Sequence, residues 1–221
     1  MQRNLDDSLR RVRESLLQMA GLVEEMVADA ERAVLTRDAL LGARVIRADS
    51  RVDQLEKSID EMCLVALALH EPKASDFRFL AAAQKIVGDL ERMGDCAVNM
   101  AQAALQLSQE PPLEGIVDLP RLGEMAREMV RDGLDAFVRK DADLARRVRA
   151  RDEEVDRLYQ HLFRELTATM VDERRRVRRA LHLLLVAKNL ERIADHATNV
   201  AEDVIYFLEA RDVRHSAAVP G

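Results

Sequence analysis

The 221-residue sequence has no tryptophan, only 3% aromatic residues, eight glycines and five prolines. That scarcity excludes the sheet-rich fold classes, because strands draw on aromatic side chains and need frequent turns. Two cysteines, Cys63 and Cys96, exclude a disulfide scaffold, and neither belongs to a Cys-x-x-Cys pair. They read as small apolar packing residues in a reducing compartment. Basic charge is not in excess: the net charge is −6, whereas nucleic-acid binding needs surplus Lys and Arg to displace counterions. The longest apolar run, 62–69, is far shorter than the roughly 20 residues of a membrane helix. The opening Met-Gln-Arg-Asn-Leu-Asp-Asp has no apolar signal core. These absences predict a cytoplasmic protein with no direct membrane insertion and no nucleic-acid partner.

What remains is dominated by Ala, Leu, Val, Glu, Arg and Asp, the composition of long helices. Apolar periodicity predicts an all-α fold with six long helices, at about 4–36, 38–70, 75–109, 119–139, 141–170 and 173–211. Pro72 stops the second segment, Pro111, Pro112 and Gly115 break the chain at its middle, and Pro120 suits the first turn of the fourth.

The chain contains itself twice. Residues 90–101, Leu-Glu-Arg-Met-Gly-Asp-Cys-Ala-Val-Asn-Met-Ala, return at 190–201 as Leu-Glu-Arg-Ile-Ala-Asp-His-Ala-Thr-Asn-Val-Ala, with seven of twelve positions identical. Upstream, Asp38, Val45, Asp49, Val52, Asp53 and Leu55 each match an identical residue 103 positions later. A period near 100 is too long for a solenoid. It predicts two tandem pseudo-repeated three-helix bundles, over 1–112 and 113–212, with 213–221 as a disordered tail.

Each copy of the motif holds two carboxylates four residues apart, Glu91 with Asp95 and Glu191 with Asp195. At about 100° per residue these acids flank the apolar stripe rather than enter it. The preceding long segment carries Asp49, Asp53, Glu56 and Asp60 on one arc, and the second copy repeats Asp152 and Asp156 before changing to Tyr159 and Phe163. Like charges at this spacing cost a helix roughly 0.2–0.5 kcal/mol per pair, so the repetition suggests a compensating cation. Facing helices would then offer four hard oxygen donors in a solvent-open surface groove, suited to magnesium, calcium, manganese or iron. The competing reading is a solvated face balanced by Arg, including Arg92 and Arg192 of the motif itself. Asn99 and Asn199, one turn on, either add carbonyl ligands or bridge neighbouring helices, and the bridging role is favoured.

No catalytic machinery is visible. Glu91 and Glu191 have no histidine at the Glu-x-x-His spacing of di-iron bundles. Asp195-His196 resembles a His-Asp phosphohydrolase centre, but the first copy has Asp95-Cys96 in its place. Gly-rich phosphate loops and nucleophile elbows are missing from the sequence. The basic run Arg174, Arg175, Arg176, Arg178, Arg179 reads as a solvated helix face, or as a contact for an acidic partner or a phosphate.

Several long stretches, in this order and with this duplication, resemble the PhoU family of phosphate-specific transport accessory proteins. They are Ile-Arg-Ala-Asp-Ser-Arg-Val-Asp at 46–53, Glu-Pro-Lys-Ala-Ser-Asp-Phe-Arg-Phe at 71–79, and the segments 85–101 and 188–202. The resemblance implies two similar three-helix bundles whose acidic motifs can hold multinuclear iron or zinc, while the hard oxygen donors leave magnesium or manganese as alternatives. One site would use Asp49, Asp53, Glu91 and Asp95, the other Asp152, Asp156, Glu191 and Asp195. It further implies a homodimeric negative regulator of the phosphate-starvation response, linking a phosphate importer's ATPase subunit to a sensor histidine kinase. The alternatives are a carboxylate-bridged metalloenzyme or metal store, and a regulator of another anion transporter.

Overall fold

The computed structural model describes residues 2–113 and 118–213, with 2–4 as backbone only. Six helices follow in order: α1 (Gln2–Thr36), α2 (Ala39–Leu69), α3 (Ala74–Leu107), α4 (Asp118–Arg139), α5 (Ala142–Asp172) and α6 (Val177–Glu209). Each predicted segment is present to within a few residues. The last begins later than expected, because Arg174–Arg176 form a separate 3-10 turn.

The duplication reaches down to the turns. Asp38 caps α2 by accepting from the backbone N–H groups of Leu40 and Leu41 at 2.9 and 3.0 Å, and Asp141 caps α5 by accepting from Leu144 at 2.9 Å. The residue before each cap is left-handed, Arg37 at φ 56° and Lys140 at φ 55°. Arg37 uses that position to donate to the Leu107 carbonyl at 2.6 Å and to that of Glu110, tying the first hairpin to the midpoint linker. Lys140 makes no such side-chain bond among the described residues, so Lys140→Gly relieves the left-handed strain without losing one. We expect a gain of about 0.5–1 kcal/mol in a chemical-denaturation curve.

Within each half, three helices pack side by side, and the halves meet along α3 and α6, with a further contact between α1 and α4. Small residues permit close approach: a Cβ at Gly42 would stand 3.1 Å from the Ala101 carbonyl oxygen. The buried apolar side chains of both halves form one continuous cluster. Three of the five phenylalanines close one end of it. Phe79 of α3, Phe137 of α4 and Phe207 of α6 have ring centroids 5.7–6.2 Å apart, with the Arg13 guanidinium of α1 over Phe79.

Cys63 and Cys96 are buried, and burial pushes their thiols up to about 12 and 11, consistent with packing rather than thiolate chemistry. Of the tail expected over 213–221, only Val213 is among the described residues. Val213 is buried and its carbonyl accepts from Arg149 at 3.0 Å, while 214–221 and Gly115 lie outside the described residues.

Candidate functional site

The first acidic set is Asp49 and Asp53 on α2 with Glu91 and Asp95 on α3, joined by Glu56 and Asp60. Its members feel one another. Asp49 is raised above the ordinary carboxylate range by partial burial and by Asp53 and Asp95, and Glu91 by partial burial and by Asp95, Glu56 and Asp53. Asp95 is exposed and the others are half-buried, so the set faces solvent as the helix angles predict.

The second set is closer and drier. Asp156 of α5 with Glu191 and Asp195 of α6 each bring an oxygen within 4.8 Å of the other two, and among the described residues this is the carboxylate group that converges so tightly. Glu191 is 9% exposed, so the expectation that all the acids flank the core in open solvent is corrected here. Asp195 is pushed up to about 6 by burial and by Glu191, Asp152 and Asp156. Asp152 stands at the edge, where the Thr198 hydroxyl donates to it at 3.0 Å. Burial nonetheless leaves its carboxyl above the ordinary range.

The cause lies in three departures from the repeat. Glu56 and Asp60 of the first copy are Tyr159 and Phe163 in the second, and these two rings pack edge to face at 6.3 Å. Gly88 is replaced by Lys188, whose ammonium lies 5.3 Å from the Tyr159 centroid and donates to both Glu191 oxygens at 2.7 and 2.5 Å. Aromatic walls therefore replace the outer acids, and an internal cation partly balances the inner ones. Sequence reasoning missed Lys188. The signal for it was a glycine-to-lysine change within an otherwise repeated stretch.

The donor set fits a hard cation. Ligand oxygens held about 2.0–2.6 Å from a Mg²⁺, Mn²⁺ or Ca²⁺ ion stand up to about 4–5 Å apart, matching the convergent group. Among the described residues no thiolate or imidazole joins it. Since Lys188 competes for Glu191, Lys188→Gln should tighten divalent-metal binding at the second site about tenfold, or about 1.4 kcal/mol by isothermal titration calorimetry.

The seam between the halves holds polar contacts that the sequence did not disclose, with Asp89, Asn189 and His196 buried. His196 Nδ1 and Asp89 Oδ1 are 2.9 Å apart, and Asn199 donates to the same Asp89 oxygen at 3.3 Å. Asn99 donates to Asn189 at 3.5 Å. The asparagines thus bridge α3 and α6, as favoured, and His196 is paired with α3 instead of forming a catalytic dyad with Asp195.

Fold and site together define a duplicated helical-bundle protein that displays a carboxylate cluster on each half. The chain belongs to the PhoU family: the PhoU domain model matches twice, at residues 16–104 and 119–204. A phosphate-specific transport system accessory protein PhoU homolog of Pseudomonas putida is 44% identical over 208 residues, covering 94% of this chain and 81% of that protein. The homolog from Aquifex aeolicus is 42% identical, covering 94% of both. The crystal structure of PhoU from Pseudomonas aeruginosa superposes with a TM-score of 0.91 at 41% identity, covering 93% of this chain and 99% of that one. The phosphate transport system regulatory protein PhoU of Streptococcus pneumoniae gives 0.87 at 30%, covering 95% and 99%.

Proposed function

We propose that this protein is a regulatory adaptor of phosphate transport, a negative regulator of the phosphate-starvation response that docks on a phosphate importer's ATPase subunit and on a sensor histidine kinase. The supporting observation is the double PhoU-domain match, together with relatives of near-equal length named as accessory proteins of phosphate-specific transport. It acts from the cytoplasm, as a homodimer, on membrane-bound partners; no helix among the described residues is long and apolar enough to cross a membrane. The two carboxylate sets hold divalent metal, iron or zinc by family resemblance and magnesium or manganese by donor chemistry, with a structural task.

Co-purification of the full chain with the importer ATPase and with the kinase's cytoplasmic portion, at physiological salt, tests this reading. Capture of either partner, with constitutive starvation-gene expression on deletion, is the expected result. Failure to capture both, with normal phosphate repression in the deletion strain, would overturn it. A metalloenzyme is the second reading, favoured only by the convergence of Asp156, Glu191 and Asp195. Hydrolase or oxidase turnover that vanishes in Glu191→Gln would select it instead.

A further inference from the structure

The antiparallel packing of α3 on α6 creates two grooves that are pseudo-symmetric images, one toward each end of the seam. Asn99 and Arg192 in one occupy the repeat positions of Asn199 and Arg92 in the other. Their chemistry is opposite. The Arg92 groove is lined by Lys85 and Arg92 against three acids, Asp89, Glu202 and Asp203. These acids are already engaged: Asp203 with Lys85 at 2.9 Å, Asp89 with His196, and Glu202 with Arg149 at 3.1 Å.

In the Arg192 groove, of about 620 Å³, the same repeat positions carry Asn189, Gln102 and Ala103, and among the described residues no carboxylate lines it. Two cations remain, Lys188 and Arg192, in a protein whose net charge is −6. Lys188 is shared with Glu191, whereas Arg192 makes no hydrogen bond or ion pair among the described residues. The amides of Gln102 and Asn99 face it from α3, His182 stands further along α6, and Leu185 and Ala103 supply apolar surface.

We propose that this groove is a binding site for a phosphate group carried by a small organic molecule of about nucleotide size. Arginine and amide N–H donors from opposite walls suit a tetrahedral oxyanion, which accepts from several directions, better than a planar carboxylate. The volume exceeds what a bare phosphate fills and falls within the roughly 300–1,000 Å³ of small-molecule sites. The groove shares Lys188 with the second carboxylate cluster but takes nothing from the partner proteins, so its failure would leave the adaptor reading standing.

Titrations of the full chain with inorganic phosphate, AMP, adenosine and sulfate, followed by ¹⁵N-resolved NMR shifts of the Gln102 and Asn99 side-chain amides, test the proposal. AMP is expected to bind, with inorganic phosphate weaker and adenosine silent. Arg192→Gln should weaken AMP binding about tenfold, the loss of one charge-assisted contact. Gln102→Glu, which installs the carboxylate found at Glu202 of the related groove, should do the same. Both positions are exposed, and circular dichroism confirms folding. If inorganic phosphate alone moves these amides and both variants abolish the shift, the phosphate site stands with free phosphate as its source. Binding of neither phosphate nor AMP, binding unchanged in both variants, or binding abolished by a metal chelator would overturn it.

Discussion

Replacing Phe137 with alanine lowers the unfolding free energy by about 3–5 kcal/mol, the cost of deleting a buried aromatic ring. Phe137 is 3% exposed and touches the rings of Phe79 and Phe207, so the cavity would open where helices of both halves meet. Domains of ordinary stability hold about 5–15 kcal/mol in total, and the loss should appear as a fall of roughly 10 °C in melting temperature. Because the core is continuous across both halves, a single transition should shift as a whole in urea denaturation. A change below about 1 kcal/mol, or separate melting of α4–α6, would show that the aromatic cluster does not join the halves. Phe163→Ala, at a position 45% exposed, serves as the near-neutral surface comparison.

Asp195→Asn acts in opposite directions with and without metal. In the chelated protein the charge of Asp195 is disfavoured by burial first and by Glu191, Asp152 and Asp156 after it, which pushes its carboxyl up to about 6. Removing that charge should stabilise the metal-free protein at pH 7 by about 1–3 kcal/mol. A group whose folded-state pKa is raised contributes full stability below the unfolded value of 3.8 and loses it as the pH climbs through about 6. The advantage of the variant should therefore disappear as the pH falls from 7 towards 4. With Mn²⁺ at a hundredfold excess over its dissociation constant, the wild type should gain about 2.7 kcal/mol. The variant should lose most of that gain. Thermal melts at pH 4, 5, 6 and 7, with chelator and with Mn²⁺, check both signs. A variant that is less stable than wild type in chelator would contradict the electrostatic account.

These two sites show unequal legibility in the sequence. The helices, their breaks and the duplication follow from period and composition, because long amphipathic helices leave a strong local signal. Asp49, Asp53, Glu91 and Asp95 could be placed as a solvent-facing set because their own helices fix the angles. For Glu191 the same angle predicts exposure, and the structure buries it, since Tyr159 and Lys188 close over the site from the sides. The change from Glu56 and Asp60 to Tyr159 and Phe163 was visible, but it reads as a smaller acidic face until the rings are seen as walls. His196 and Asp89 lie 107 residues apart in sequence, and only the antiparallel docking of α3 and α6 brings them together. Both break the repeat, facing Cys96 and Asn189 in the alignment of the halves. Departures from the internal repeat thus mark where the halves have acquired different surroundings.

The duplicated Leu-Glu-Arg-x-x-Asp motif therefore supplies two carboxylate clusters of different character, an open one on the first half and a desolvated one on the second. The most direct test is anomalous diffraction at the manganese edge from crystals of the full chain equilibrated with Mn²⁺. The account predicts a strong peak among Asp156, Glu191 and Asp195, with weaker or no density at Asp49, Asp53, Glu91 and Asp95. A peak confined to the first set, or none at either, would contradict it.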